Sequence, residues 1–255
     1  TTCSNNLAIG HSALADSAVG DYNIAIGNRS LYACESSTNI AIGYHAGEAI
    51  TTGANNIFIG YEVGTAQTTA SSTTAVGKDA GKSITTGSYN QLFGIGAGDA
   101  ITTGSNNTIM GHYAGSSLTT SSENTILGGN AGGSSSLGSG NVIIGKSACQ
   151  SNAGGNNVFI GETANVWGSG DASDNVGVGH AAMEDVSTGD KNAGVGEYVL
   201  KDLTTGSDNS ALGSNSGNTL TTGSNNLFLG HDATPSSATV SNEITVGDAN
   251  ITKLR

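Results

Sequence analysis

"AITTGSNNTIMGHYAG", residues 100–115, is one of many near-copies of a single phrase. Close variants start at Ala49 ("AITTGANNIFIGYEVG"), Ser83 ("SITTGSYNQLFGIGAG") and Thr219 ("TLTTGSNNLFLGHDAT"). Aligned on the glycine that closes the short apolar run, the chain shows Gly10, Gly27, Gly43, Gly60, Gly77, Gly94, Gly111, Gly128, Gly145, Gly161, Gly179, Gly196, Gly213, Gly230 and Gly247. The steps are 17, 16, six of 17, then 16, 18 and four of 17 residues. Spacing this even marks a repeat array, which overrides any domain count drawn from length.

Four residues before the glycine stands a recurrent asparagine: Asn6, Asn23, Asn39, Asn56, Asn90, Asn107, Asn124, Asn141, Asn157, Asn175, Asn192, Asn209 and Asn226. Thr73 and Glu243 take that place in the other two copies. A small residue, usually Ala, follows the glycine by three, and an Ile or Leu then leads into "TTG" and the next Asn. The consensus is N-x-φ-φ-G-x-x-A-G-x-x-φ-T-T-G-S-N, with φ apolar.

A 17-residue period is too short for helix-pair repeats, whose units run to 30 residues or more. Fixed Gly and Asn with β-branched residues between them point to short strands and tight turns. The expected fold is all-β, a parallel β-solenoid or β-roll of 17-residue coils. Each coil is predicted to hold a strand around "NIFIG" and a second short one around "AITT". About fifteen repeats occupy residues 1–247, and 248–255 read as a segment leading to a downstream domain not included in the chain. At about 4.8 Å per coil the stack would form a rod roughly 65–70 Å long. The Asn column is expected to be structural, a hydrogen-bonding ladder from coil to coil.

Successive side chains of a strand point to opposite faces. In the 100–115 phrase this reading sends Ile101 and Met110 inward and Ile109 toward a neighbouring chain, with Ala114 in a tight corner. His112 and Tyr113 are left to meet a partner. Both faces of the apolar run call for burial, yet so small a coil has one interior, so self-association is expected along the other face.

Composition narrows the function. Net charge is −12, with eight basic against twenty acidic residues, so no cationic stripe exists to neutralise phosphates and nucleic acid is not an expected partner. No apolar run reaches the roughly 18 residues of a membrane span, and no membrane insertion is expected. Starting at Thr1, the chain reads as a piece of a longer protein. Cys3, Cys34 and Cys149 are too few and too dispersed for a disulfide framework or a zinc site, though Cys3 could bridge two chains. His11, His112, His180 and His231 follow the repeat glycine directly, and His45 stands one later; they lie in non-adjacent copies and cannot share a metal. No recurring carboxylate pair appears, and "GSGDASDN" at 168–175 lacks the spacing of a calcium loop. No catalytic residue, cofactor or metal is therefore expected. The threonine pairs (Thr51-Thr52, Thr85-Thr86, Thr102-Thr103) suggest an ice-binding array only weakly, because adjacent residues point oppositely. Aromatic residues fit surface contact better: Trp167, the only tryptophan, in the 18-residue step, with Tyr44, Tyr61 and Tyr113.

The units "NIAIGNRS" (23–30) and "NIAIGYHAG" (39–47) resemble the N-x-x-I-G-x-x-A head repeat of YadA-like trimeric autotransporter adhesins. The 17-residue repeat is longer than is typical there. The terminal "NEITVGDANITKLR" resembles the junction that precedes the intramolecular chaperone domain of phage tail fibres. These resemblances imply a left-handed, homotrimeric β-roll without enzymatic activity. They imply a rigid shaft of a viral tail fibre, located in the virion, that meets a host-cell surface receptor such as a glycan. The alternative they imply is a bacterial adhesin head at the cell surface. A glycan-degrading tailspike would need a clustered carboxylate pair, which the sequence does not show.

Overall fold

The computed structural model describes residues 4–15, 19–133, 137–150 and 154–251. Cys3, the "SSS" and "SNA" interruptions at 134–136 and 151–153, and the last four residues of the C-terminal segment lie outside the described residues. The chain divides into two compact units, Thr1–Asn130 and Ala131–Arg255. The first unit carries β1 (Leu7–Ile9), β2 (Ile24–Ile26), β3 (Ile40–Ile42), β4 (Ile57–Ile59), β5 (Thr74–Val76), β6 (Gln91–Phe93), β7 (Thr108–Met110) and β8 (Thr125–Leu127). The second carries β9 (Val142–Ile144), β10 (Val158–Ile160), β11 (Val176–Val178), β12 (Ala193–Val195), β13 (Ser210–Leu212), β14 (Leu227–Leu229) and β15 (Ile244–Val246).

In each unit every strand pairs parallel and in register with the next, so that Ile109 faces Ile126 and Gly194 faces Ala211. Each unit is thus a parallel β-solenoid of coils about 17 residues long, and no described residue is helical. The predicted second strand at "AITT" is absent. The Thr85, Thr86 and Gly87 amides all turn onto one carbonyl, that of Thr102, instead of alternating along a ladder. Only three residues of a coil run extended; the others turn corners.

The strand faces also correct the expectation for the 100–115 phrase. The middle residue of each strand points inward: Phe58, Leu92, Ile109, Ile126 and Phe228 are fully buried. The residue before the glycine points outward, and Met110 is 51% exposed. Asn107 is buried two residues before Ile109, and period-two alternation puts both on the same side. Ile101 and Ala114 are buried as expected.

Core volume is shared between two places in the coil. In some coils a small strand centre accompanies a large residue four after the repeat glycine: Ala25 with Leu31, Gly177 with Met183, Gly194 with Leu200. Where the centre is Phe58, that position is Gly64, and a Cβ there would stand 2.8 Å from the ring. One compartment is filled either way, as close packing demands.

Every coil turns through the left-handed region. The repeat glycine is forced: Gly94 has φ +135° and an added Cβ would stand 2.5 Å from the Gly111 carbonyl oxygen. The residue before the Asn column is left-handed too, as at Asn55 (φ 60°), Asn106 (φ 59°) and Asp208 (φ 60°). Asn and Asp tolerate this conformation better than other L-residues, which accounts for "NN" and "DN" in the repeat.

Candidate contact surfaces

The polar residues of the repeat are largely consumed by the stack. Asn107 donates its backbone N–H and Nδ2 to Asn90 Oδ1 at 3.1 and 3.0 Å, and Nδ2 also donates to the Ser121 carbonyl at 3.0 Å. Its own Oδ1 accepts from Asn124 N at 3.0 Å and Nδ2 at 3.2 Å. In the first unit the same backbone bond links Asn6, Asn23, Asn39 and Asn56 in order. It stops at Thr73, whose N–H bonds Asn56 Oδ1 but whose buried hydroxyl has no partner. In the second unit it runs through Asn141, Asn157, Asn175, Asn192, Asn209 and Asn226 to the Glu243 amide. An amide side chain suits this place because it accepts and donates at once.

Two further ladders, unforeseen from sequence, use the rest of "TTGSN". The first threonine hydroxyl donates to the threonine carbonyl one coil on, as Thr85 to Thr102 at 3.1 Å and Thr102 to Thr119 at 3.0 Å. The serine Oγ accepts the backbone amide of the preceding coil, as Ser105 from Ser88 and Ser122 from Ser105. Their recurrence in the consensus was the available signal. These hydroxyls are occupied within the fold, and in pairs such as Thr85-Thr86 and Thr102-Thr103 the second threonine is the exposed one.

Tyr44, Tyr61, Tyr113 and Trp167 are all exposed. Tyr44 and Tyr61 stack at 5.1 Å with planes 12° apart, and His45 stacks on Tyr44 at 3.8 Å. Lys78 Nζ stands 5.9 Å from the Tyr61 centroid. The faces of this pair are thus used between coils. The Glu62 carboxylate, held below its usual range by the Lys82 ammonium, raises the Tyr61 phenol in turn. Tyr113 lies over Gly96 of the coil before it, with His112 edge-on at 4.5 Å. It is therefore a covering residue as much as a free one.

His180 packs edge-on against Tyr198 at 5.2 Å, and His231 pairs with Asp232 at 3.2 Å. Among the described residues no three His, Cys, Asp or Glu side chains are grouped to hold a metal ion. Cys34 and Cys149 are buried and not in disulfides. No described helix is long and apolar enough to cross a membrane. In the 168–175 stretch the Ser173 amide bonds Asp190 Oδ1 at 2.8 Å and the Asp174 amide bonds the Gly155 carbonyl, so the turn is tied into its neighbours.

Trp167 differs from the tyrosines. Its Nε1 donates to Glu184 Oε1 at 3.1 Å, and Glu184 Oε2 in turn lies 3.6 Å from Lys201 Nζ. Asp185, in the same patch, has its carboxyl raised by burial and by Glu184 beside it.

The other outward feature is apolar. The third residue of every strand is aliphatic, aromatic or Met, from Ile9 and Ile26 through Phe93 and Met110 to Leu212 and Val246. Ile9 and Leu212 are each 55% exposed. The chain matches no known protein family, no curated protein and no solved structure.

Proposed function

We propose that this chain is a non-catalytic structural segment of a viral tail fibre, assembled as a homotrimer and serving host-cell attachment. One observation carries the reading: each strand presents at least one part- or fully exposed apolar side chain on its outward face, in unbroken succession within each unit. Isolated exposed apolar residues are ordinary, but a continuous column of them marks an interaction surface. A second copy of the same chain fits it, because identical columns at identical coil spacing mate along their whole length. The consumption of Asn, Thr and Ser within the stack supports a role as scaffold. The terminal resemblance to a fibre junction favours the virion over the bacterial surface. Three-fold display would add avidity to weak surface contacts.

The test is the mass in solution by sedimentation. Three copies of a 25.1 kDa chain are expected at micromolar concentration. A species of one chain's mass at that concentration would refute the assembly.

A further inference from the structure

Trp167 stands six residues after its repeat glycine, a place that the first unit fills with Asp16 once and otherwise with Ala33, Ala49, Ala66, Ser83, Ala100 and Ser117. A small residue therefore suffices for the coil, and the indole covers nothing that the fold needs covered. It is 67% exposed, the most exposed aromatic ring among the described residues, and among those residues no ring or cation sits on its face. Yet it is not loose. The backbone N–H bonds the Glu184 carbonyl at 2.9 Å and the indole N–H bonds that residue's carboxylate, so one edge of the ring is pinned to the next coil. The coil after that adds Lys201, 3.1 Å from Asp202 Oδ1. A pinned, open aromatic face beside carboxylates and an ammonium is a small set of converging groups of the kind that recognises a ligand.

We propose that Trp167, with Glu184, Lys201 and Asp202, forms a lateral binding site for neutral pyranosides. The C–H face of one sugar ring lies on the indole, which offers a large apolar surface with a polar tip. The next ring along the chain of sugars reaches the coils below, at about 4.8 Å per step. There Glu184 and Asp202 accept from its hydroxyls and Lys201 donates. Three carboxylates (Glu184, Asp185 and Asp202) outnumber the one ammonium, so the patch repels acidic sugars. A quaternary cation would call for a cage of several aromatic rings, and here there is one. This inference rests on the attachment reading and gives it a ligand class, but the site is complete within one chain.

The only tryptophan of the chain makes its own emission the readout. Lactose, cellobiose and diacetylchitobiose, each raised to about 100 mM, should shift Trp167 emission saturably, with Kd in the millimolar range. Because the indole reads the C–H face and not one hydroxyl pattern, at least one of the three must bind. Silence with all three overturns the site. So does a saturable shift with choline chloride alone, or tighter binding of sialyllactose than of lactose. Trp167→Ala places at this position a residue that its counterparts already carry, so the fold should persist; by saturation-transfer NMR it should bind at least about tenfold more weakly. Glu184→Gln, which retains an acceptor for the indole N–H, should lose less affinity than Trp167→Ala, and a larger loss would overturn the stacking role of the indole. Retained sugar binding in Trp167→Ala also overturns the proposal. A trimer that binds no sugar refutes this site alone, whereas a monomer that binds sugar refutes the fibre reading alone.

Discussion

Thr73 is the one non-Asn residue interrupting the ladder of the first unit, and its buried hydroxyl is unsatisfied there. Thr73→Asn should restore an acceptor for the coil above and a donor for the turn carbonyl. A gain of about 1 kcal/mol is expected in urea denaturation, since satisfying a buried polar group recovers roughly that much. A lower midpoint for the variant would mean that the site cannot accommodate the amide. Gly94 makes the opposite case. With φ +135° and the Gly111 carbonyl 2.5 Å from an added Cβ, Gly94→Ala meets both backbone strain and a backbone clash. We expect a loss of about 2–4 kcal/mol in the same measurement. Wild-type stability in this variant would show that the corner is not set by the glycine.

The strand is the element that decides what is inside. Its centre fills the core while its third residue meets solvent, so the two should respond differently to substitution. Leu212→Asp should leave thermal unfolding of the isolated chain within about 0.5 kcal/mol of wild type, as surface changes generally do. It should nonetheless abolish self-association in sedimentation. If association survives, another face mediates it. The last ladder position behaves as an element terminus. Glu243 accepts from the Ser236 N–H and hydroxyl and from the Thr245 hydroxyl, which together hold its carboxyl below the usual range. A lowered folded-state pKa contributes stability above the ordinary glutamate value, about 4.3, that is lost as pH falls through the folded value. The protection of the Ser236 amide against hydrogen exchange, relative to its intrinsic rate at each pH, should accordingly fall as pH drops below the ordinary glutamate value. Glu243→Gln should flatten that dependence, and an unchanged profile in the variant would assign it to another group.

At the scale of the whole molecule the governing quantities are repetition and charge. Stability in such an array is close to a sum over coils and their neighbours, so local substitutions act locally. Each copy carries a net charge of −12, and bringing copies together sets like charges against one another. Association through an apolar column should therefore strengthen as salt screens that repulsion. Sedimentation at about 50 mM and at about 500 mM salt checks this, with tighter assembly expected at the higher value. Weakening with salt would point to ion pairs in place of apolar contact.

By itself, the sequence determined the period, the one-coil-per-repeat architecture, the parallel in-register stacking and the place of the Asn column, because each is a property of repetition. A residue type that recurs every 17 positions has to stack on itself. It also contained the answer to which strand face is buried: with Asn107 inside, alternation places Ile109 inside and Met110 outside. Only the tertiary structure decided that "AITT" turns instead of extending, that Thr and Ser hydroxyls are spent between coils, and that the Tyr44 and Tyr61 faces cover each other while Trp167 stays open. These depend on which carbonyl lies opposite each donor in the neighbouring coil. That is a relation in space between residues 16 to 18 positions apart, and the order of residues within one repeat does not contain it.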